Sequence, residues 1–166
     1  MPTLTDRLSR FRRLALRISS TLRWLPPTLS RLTLGWIFLQ SGWGKLHDLP
    51  KVIAFFTELG IPAPQIQAPL AATTEFVCGA LMLLGLASRF ASLPLIGTML
   101  VAILTAKRGE VHELSDLFGF AEYLYIVLAL WIGAYGPGPI SLDSAIARRW
   151  ERGERPLSAR AAVVAH

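Results

Sequence analysis

Glu75, Glu122 and Lys45 are ionisable residues set in or beside apolar stretches, and their types could do chemistry. A carboxylate can exchange protons or accept a hydroxyl's hydrogen bond, and an ammonium can balance its charge. Glu75 lies near the middle of residues 68–87, APLAATTEFVCGALMLLGLA, twenty residues with no other charge. At about 1.5 Å of rise per residue such a helix reaches roughly 30 Å, the thickness of a bilayer's hydrocarbon core. A carboxylate at that depth costs roughly 2.5 to 3.5 kcal/mol on insertion scales, so it should face neighbouring helices and have a partner or a task.

Composition sets the class of molecule around these groups. Of 166 residues, 52% are hydrophobic and 17% charged, and the mean hydropathy is +0.45. That leaves too little polar surface for a soluble domain of this size. The net charge of +6 comes mainly from the two tails, without groove-reading or base-stacking motifs, so it describes a membrane-surface face and excludes nucleic acid as a partner. Cys78 is the single cysteine, which excludes an internal disulfide, a CxxC redox pair and a cysteine zinc site. His47, His112 and His166 fall at segment ends or at the terminus, where they could not hold a haem between helices. No metal and no tightly bound cofactor is expected.

Several elements must position the charged groups. Residues 1–25 place Leu4, Leu8, Phe11, Ala15, Ile18, Leu22 and Leu25 on one stripe and six arginines around the rest, a basic amphipathic helix lying in the membrane interface. A targeting segment is the competing reading, but the stretch has no apolar h-region and no evident cleavage site. Pro26 and Pro27 are expected to break that helix. The first span is 28–46, bracketed by Arg31 and Lys45, with Gly35 and Gly42 on one face for a close neighbour. A short interfacial or re-entrant cap follows over LPKVIAFFTELG, ended by Gly60, Pro62 and Pro64.

The remaining spans are 68–87, 90–106 and 117–135, with Gly97 in the third leaving room for close packing and Glu122 near the start of the fourth. GPGP at 136–139 ends the fourth, and an amphipathic helix capped by Ser141 or Asp143 opens the basic C-terminal segment 144–166, whose end is read as disordered. Thirteen of the seventeen lysines and arginines fall on one side of this layout. The positive-inside rule then puts both termini in the cytoplasm and makes the chain a multi-pass protein. The fold class is all-α: an integral membrane four-helix up-down bundle over 28–143 with an amphipathic helix at each end.

In such a bundle the end of the first span and the start of the fourth both lie at the outer side. Lys45 and Glu122 should meet there, with Glu75 roughly two turns deeper. Trp43 and Tyr125 would wall a polar pocket, with His112 at the outer interface and Arg89 at the inner end. One function for these residues is an ion pair that fixes helix register. Another is a pocket in which the carboxylates Glu75 and Glu122 accept protons or hold a quinol hydroxyl. Cys78, one turn from Glu75, is read as packing.

GWIFLQSGWGKL, the GIPAP turn, TEFVCGALMLLGLASRFASLPL, the glutamate opening the fourth span and GPGPISLD together resemble the DoxX family of small four-helix membrane proteins. Cys78 beside Gly79, where a second small residue is expected, is one departure. The resemblance implies a four-helix bundle in the bacterial cytoplasmic membrane and an association with redox chemistry, either quinone-linked or thiol-linked. The matching polar positions are Lys45, Glu75, Arg89 and Glu122, with Gly42 and Gly79 as packing positions. The function expected is therefore a membrane subunit or accessory factor of a quinone-linked or thiol-linked redox system, part of a quinone-dependent oxidoreductase complex if it is an enzyme, working with a protein partner or as a homo-oligomer, with quinone or quinol as the ligand of its carboxylate pocket. The rival expectations are a small proton-coupled transporter, weakened by the lack of an inverted repeat or a broken mid-plane helix, and a non-catalytic scaffold.

Overall fold

The computed structural model describes residues 11–13, 16–17 and 19–154, the last four by backbone alone. The N-terminal amphipathic stripe thus lies largely outside the described residues, as does the tail 155–166. Among the described residues from Leu25 onward the α-helices are, in order, α1 Leu25–His47, α2 Leu49–Glu58, α3 Pro64–Leu84, α4 Ser88–Thr105, α5 Leu114–Gly119, α6 Ala121–Tyr135 and α7 Leu142–Glu154, with a 3-10 turn at Arg108–Glu110 before α5. Among the described residues there is no strand. α3 and α4 are long and apolar enough to cross a membrane, and α6 is a shorter apolar helix of 15 residues.

The helices begin and end where local chemistry dictates. Pro26 and Pro27 lie in the first turn of α1, just after a turn at Arg23 and Trp24 that separates it from the helical residues 19–22, because the first turn has no use for the N–H groups that proline lacks. Pro64 likewise starts α3, four residues before the expected span. α3 stops at Gly85, whose φ of +68° suits glycine, and the Leu86 amide turns back to the Leu81 carbonyl at 3.0 Å. The expected fourth span is two helices, divided at Phe120, whose φ of −79° and ψ of 136° are extended. The Phe120 side chain lies under the Lys107 ammonium, 5.4 Å from the ring centre.

α1 packs chiefly on α3, α4 touches both α3 and α6, and α6 returns to α1. Leu34, Phe38, Met82, Leu95 and Ile132 are buried at the centre, joined by Cys78 and Met99. The α1–α3 seam is a backbone contact. A Cβ on Gly79 would run into the backbone of Leu39, one on Gly42 into that of Phe76, and one on Gly35 would lie 2.7 Å from the Leu83 amide. Small residues on both helices are what permits this approach, since lipid-facing helices associate through packing rather than through escape from water. Gly97 behaves otherwise: nothing lies within 4 Å of a Cβ built there, so it keeps space open instead of closing a helix contact.

The end of the bundle near the α3–α4 turn is tied by two charged side chains. Arg31, 4% exposed, donates to the carbonyls of Met82 and Leu83 at 3.1 and 2.8 Å and to that of Ile140 at 2.8 Å. It thereby satisfies the last carbonyls of α3, the negative end of that helix. Asp143 does the reverse for α4: its carboxylate accepts from the Ala87 and Ser88 amides at 2.8 and 3.3 Å. Asp143 is therefore the cap of α4, and Ser141 caps α7 by accepting from the Ser144 amide at 3.2 Å.

Gly79→Leu should force the α1 and α3 backbones apart and destabilise the protein by about 3 kcal/mol. Gly44→Ala, where a Cβ meets nothing, should be neutral or stabilising by about 0.5 kcal/mol. Thermal unfolding of the detergent-solubilised variants measures both, and equal melting temperatures would remove the seam from its place in the fold.

Candidate functional site

The α1–α3 seam brings two helices' polar groups to one point. Ser41 and Lys45 are four residues apart on α1, hence on one face. Lys45 Nζ lies 2.5 Å from Glu75 Oε1, and Ser41 Oγ donates to Glu75 Oε2 at 2.8 Å. Glu75 is 2% exposed, so both carboxylate oxygens are engaged inside the protein. The Lys45 side chain retains 31% of its exposure. Its stem lies along the helix while the ammonium reaches the acid.

The pair borders a cavity of about 480 Å³ enclosed by α2, α3 and α4. Phe55 and Phe56 of α2 contribute aromatic surface, and Pro94, Gly97 and Met99 of α4 form another side. Thr74, Thr98, Thr105, Gln67 and Lys51 are its other polar contributors. The walls are otherwise apolar. Such a chamber suits a ring or short chain with one polar end, the general form of a small-molecule site: apolar walls with few fixed polar groups.

α2 contributes one wall of this chamber. Asp48 caps it by accepting from the Lys51 amide, none of its residues is fully buried, and it packs on α3. Gly60 at φ +71° ends it, and the Ile61 amide returns to the Phe56 carbonyl at 3.0 Å.

Of the candidate site residues Lys45, Glu75, Glu122, Trp43, Arg89, Tyr125 and His112, Lys45 and Glu75 line this cavity and the others do not. Glu122 stands in the first turn of α6, half-buried, and no ion pair joins it to Lys45 among the described residues. The expected Lys45–Glu122 meeting with Glu75 beyond it is replaced by a direct Lys45–Glu75 pair, because the glycine seam draws α1 onto α3. Tyr125 packs edge-on against the buried Phe38, ring centres 5.8 Å apart, and belongs to the core. Trp43 is half-exposed and stacks between Phe76 and His47, at 5.7 and 4.0 Å. Arg89 sits at the other end of the bundle beside Gly136.

His112 is exposed in the segment before α5, where its backbone N–H donates to Asp116 Oδ2 at 2.9 Å. Sequence reasoning missed Ser41, Lys51, the two phenylalanines and the role of Gly97. The four-residue spacing of Ser41 from Lys45 is the signal that could have found the serine.

Chain comparison adds the following. The family model described as DoxX matches residues 27–108. A membrane protein of Mycobacterium tuberculosis (strain ATCC 25618 / H37Rv) is 33% identical over 137 residues, covering 75% of this chain and 84% of its own. A Bacillus subtilis (strain 168) protein named "Putative oxidoreductase CatD" is 31% identical over 100 residues, 60% of this chain and 69% of its own. No solved structure matches.

Two measurements bear on the charged groups. Lys45→Met leaves Glu75 buried without its cation and should lower stability by about 2 kcal/mol, less than a fully buried pair would lose because Lys45 is partly exposed. The double variant Lys45→Met/Glu75→Gln should recover most of that loss in unfolding experiments.

Asp116 is held below its ordinary value of 3.8 first by the Glu113 amide and then by that of His112. A depressed carboxylate contributes stability that is complete above the ordinary value and disappears as pH falls through its own lower one. Amide-exchange protection at His112 and Glu113 should therefore hold down to about pH 4 and drop below it.

Proposed function

We propose that this protein, a member of the DoxX family of membrane proteins, is the membrane subunit of a bacterial redox system and receives the ring of a quinol-type molecule in the cavity beside Glu75. The observation that carries this reading is the buried Lys45–Glu75–Ser41 group at the edge of an otherwise apolar chamber of about 480 Å³. An apolar ring fits the walls, and its hydroxyl meets a carboxylate already oriented by two donors. The relative whose name includes oxidoreductase supports the redox half of the reading.

In this scheme Glu75 Oε1 takes the quinol proton as Lys45 swings away from the pair, and Ser41 keeps the carboxylate plane fixed. Lys45 has room to move, since its side chain is 31% exposed while Glu75 stays enclosed. The quinol's two electrons go to a redox cofactor carried by a partner chain, and its second proton goes to water. This chain contributes binding, orientation and the first proton acceptor.

The chain crosses the inner membrane four times with both termini in the cytoplasm. α3 and α4 have the length and apolar character for crossing. α1, at 23 residues, carries Arg31 and Lys45 near its two ends, where long stems can deliver charge to the interfaces. Residues 117–135, the end of α5 and all of α6, supply the fourth crossing. The clustering of basic residues toward the chain ends and Arg89 supports this orientation.

Purified protein titrated with decylubiquinone tests the proposal. The wild type should bind it, Glu75→Gln should bind at least tenfold more weakly at unchanged abundance and melting temperature, and Gly97→Leu should block the chamber. Absence of binding by the wild type, or equal binding by folded Glu75→Gln, would remove the mechanism.

A further inference from the structure

We infer that the cleft at the other end of the bundle binds the phosphate of an anionic membrane amphiphile, with Arg89 as its counter-charge. This site is separate from the Glu75 cavity and stands whether or not that cavity takes a quinol. The cleft has a volume of about 700 Å³ and lies between the first turn of α4, the end of α6 and the 136–144 segment. Arg89, Phe90, Tyr135, Gly136 and Gly138 border it.

Arg89 is exposed, and no carboxylate among the described residues pairs with it. Its guanidinium is nevertheless not loose on the surface. A Cβ on Gly136 would fall 3.1 Å from Arg89 Nη2 and 3.2 Å from Nε, so the side chain lies against the backbone at a glycine whose φ is +90°. Glycine serves there twice: it accepts the left-handed backbone and leaves the guanidinium its place. A planar guanidinium held at a cleft wall offers paired N–H groups that match a phosphate's oxygens.

The first amides of α4 are already engaged by Asp143, one oxygen to each of Ala87 and Ser88. That accounts for the acid that also borders the cleft and leaves Arg89 as the unpaired charge in it. The rest of the lining selects an amphiphile over a free anion. Phe90 and Tyr135 are 77% and 71% exposed, two aromatic rings beside the same opening. Rings of this kind occupy the boundary between headgroups and acyl chains. A phosphodiester seated on Arg89 can therefore run its chains along Phe90 and Tyr135. The inner leaflet, where the basic segments place this end, is the anionic one.

Native mass spectrometry of the full chain in detergent, with phosphatidylglycerol, phosphatidylcholine or inorganic phosphate added, tests the site. The wild type should retain phosphatidylglycerol at least tenfold better than phosphatidylcholine. Arg89→Gln should lose that preference, whereas Arg149→Gln, the same charge change at an exposed position outside the cleft, should keep it. Millimolar inorganic phosphate should not displace the lipid; displacement would show that free phosphate is the ligand and overturn the amphiphile.

Equal loss in both variants would mean that only overall charge matters, and equal retention by Arg89→Gln would also overturn the site. Amide exchange on the wild type needs no variant. Phosphatidylglycerol, and not phosphatidylcholine, should protect residues 136–144, and the absence of that protection would overturn the proposal.

Discussion

The buried carboxylate of Glu75 and its two donors depend on two helix backbones lying almost in contact. α1 and α3 can approach so closely because Gly35, Gly42 and Gly79 present no side chain at the seam. At that separation a lysine and a serine on one helix reach a carboxylate on the other without either helix bending. A wider seam would leave Glu75 enclosed without donors, and enclosing a charge without partners is among the larger penalties a fold can incur. Packing and electrostatics are thus one arrangement here, and the glycines come first in the causal order.

The two ends of the bundle solve different problems. Near the α3–α4 turn, Arg31 meets the carbonyl end of α3 and Asp143 meets the amide end of α4. Each charge complements the helix dipole it touches, and each also ties down the segment that follows α6. At the far end α2 lines the cavity together with α3 and α4 and has no buried residue of its own. Interior space survives where the covering element is lightly held and where Gly97 withholds a side chain.

Much of the architecture could be read from residue order. The glycine face of the first span, the enclosed position of Glu75 and the packing role of Cys78 follow from periodicity and from the cost of placing acids among apolar neighbours. What escaped reading depends on which helices meet and how tightly. Level alone pairs Lys45 with Glu122 and sets Glu75 two turns deeper, and only the tight α1–α3 seam brings Lys45 to Glu75 instead. Pro64 is ambiguous punctuation, since proline ends one helix as readily as it opens another. Asp143 satisfies a helix far from it in sequence, which local capping rules do not encode. The Phe120 break has one local sign, Gly119 at the end of α5, and a single glycine in an apolar run is a weak one.

Cys78 has a practical consequence. It is the one thiol in the chain, 8% exposed and enclosed with Leu34 and Phe38. A thiol-reactive dye cannot reach it until the helices part, so the labelling rate of unaltered protein is a clock for that opening. The natural sequence thus carries its own reporter of breathing motions, usable in native membranes where optical melting curves are hard to obtain.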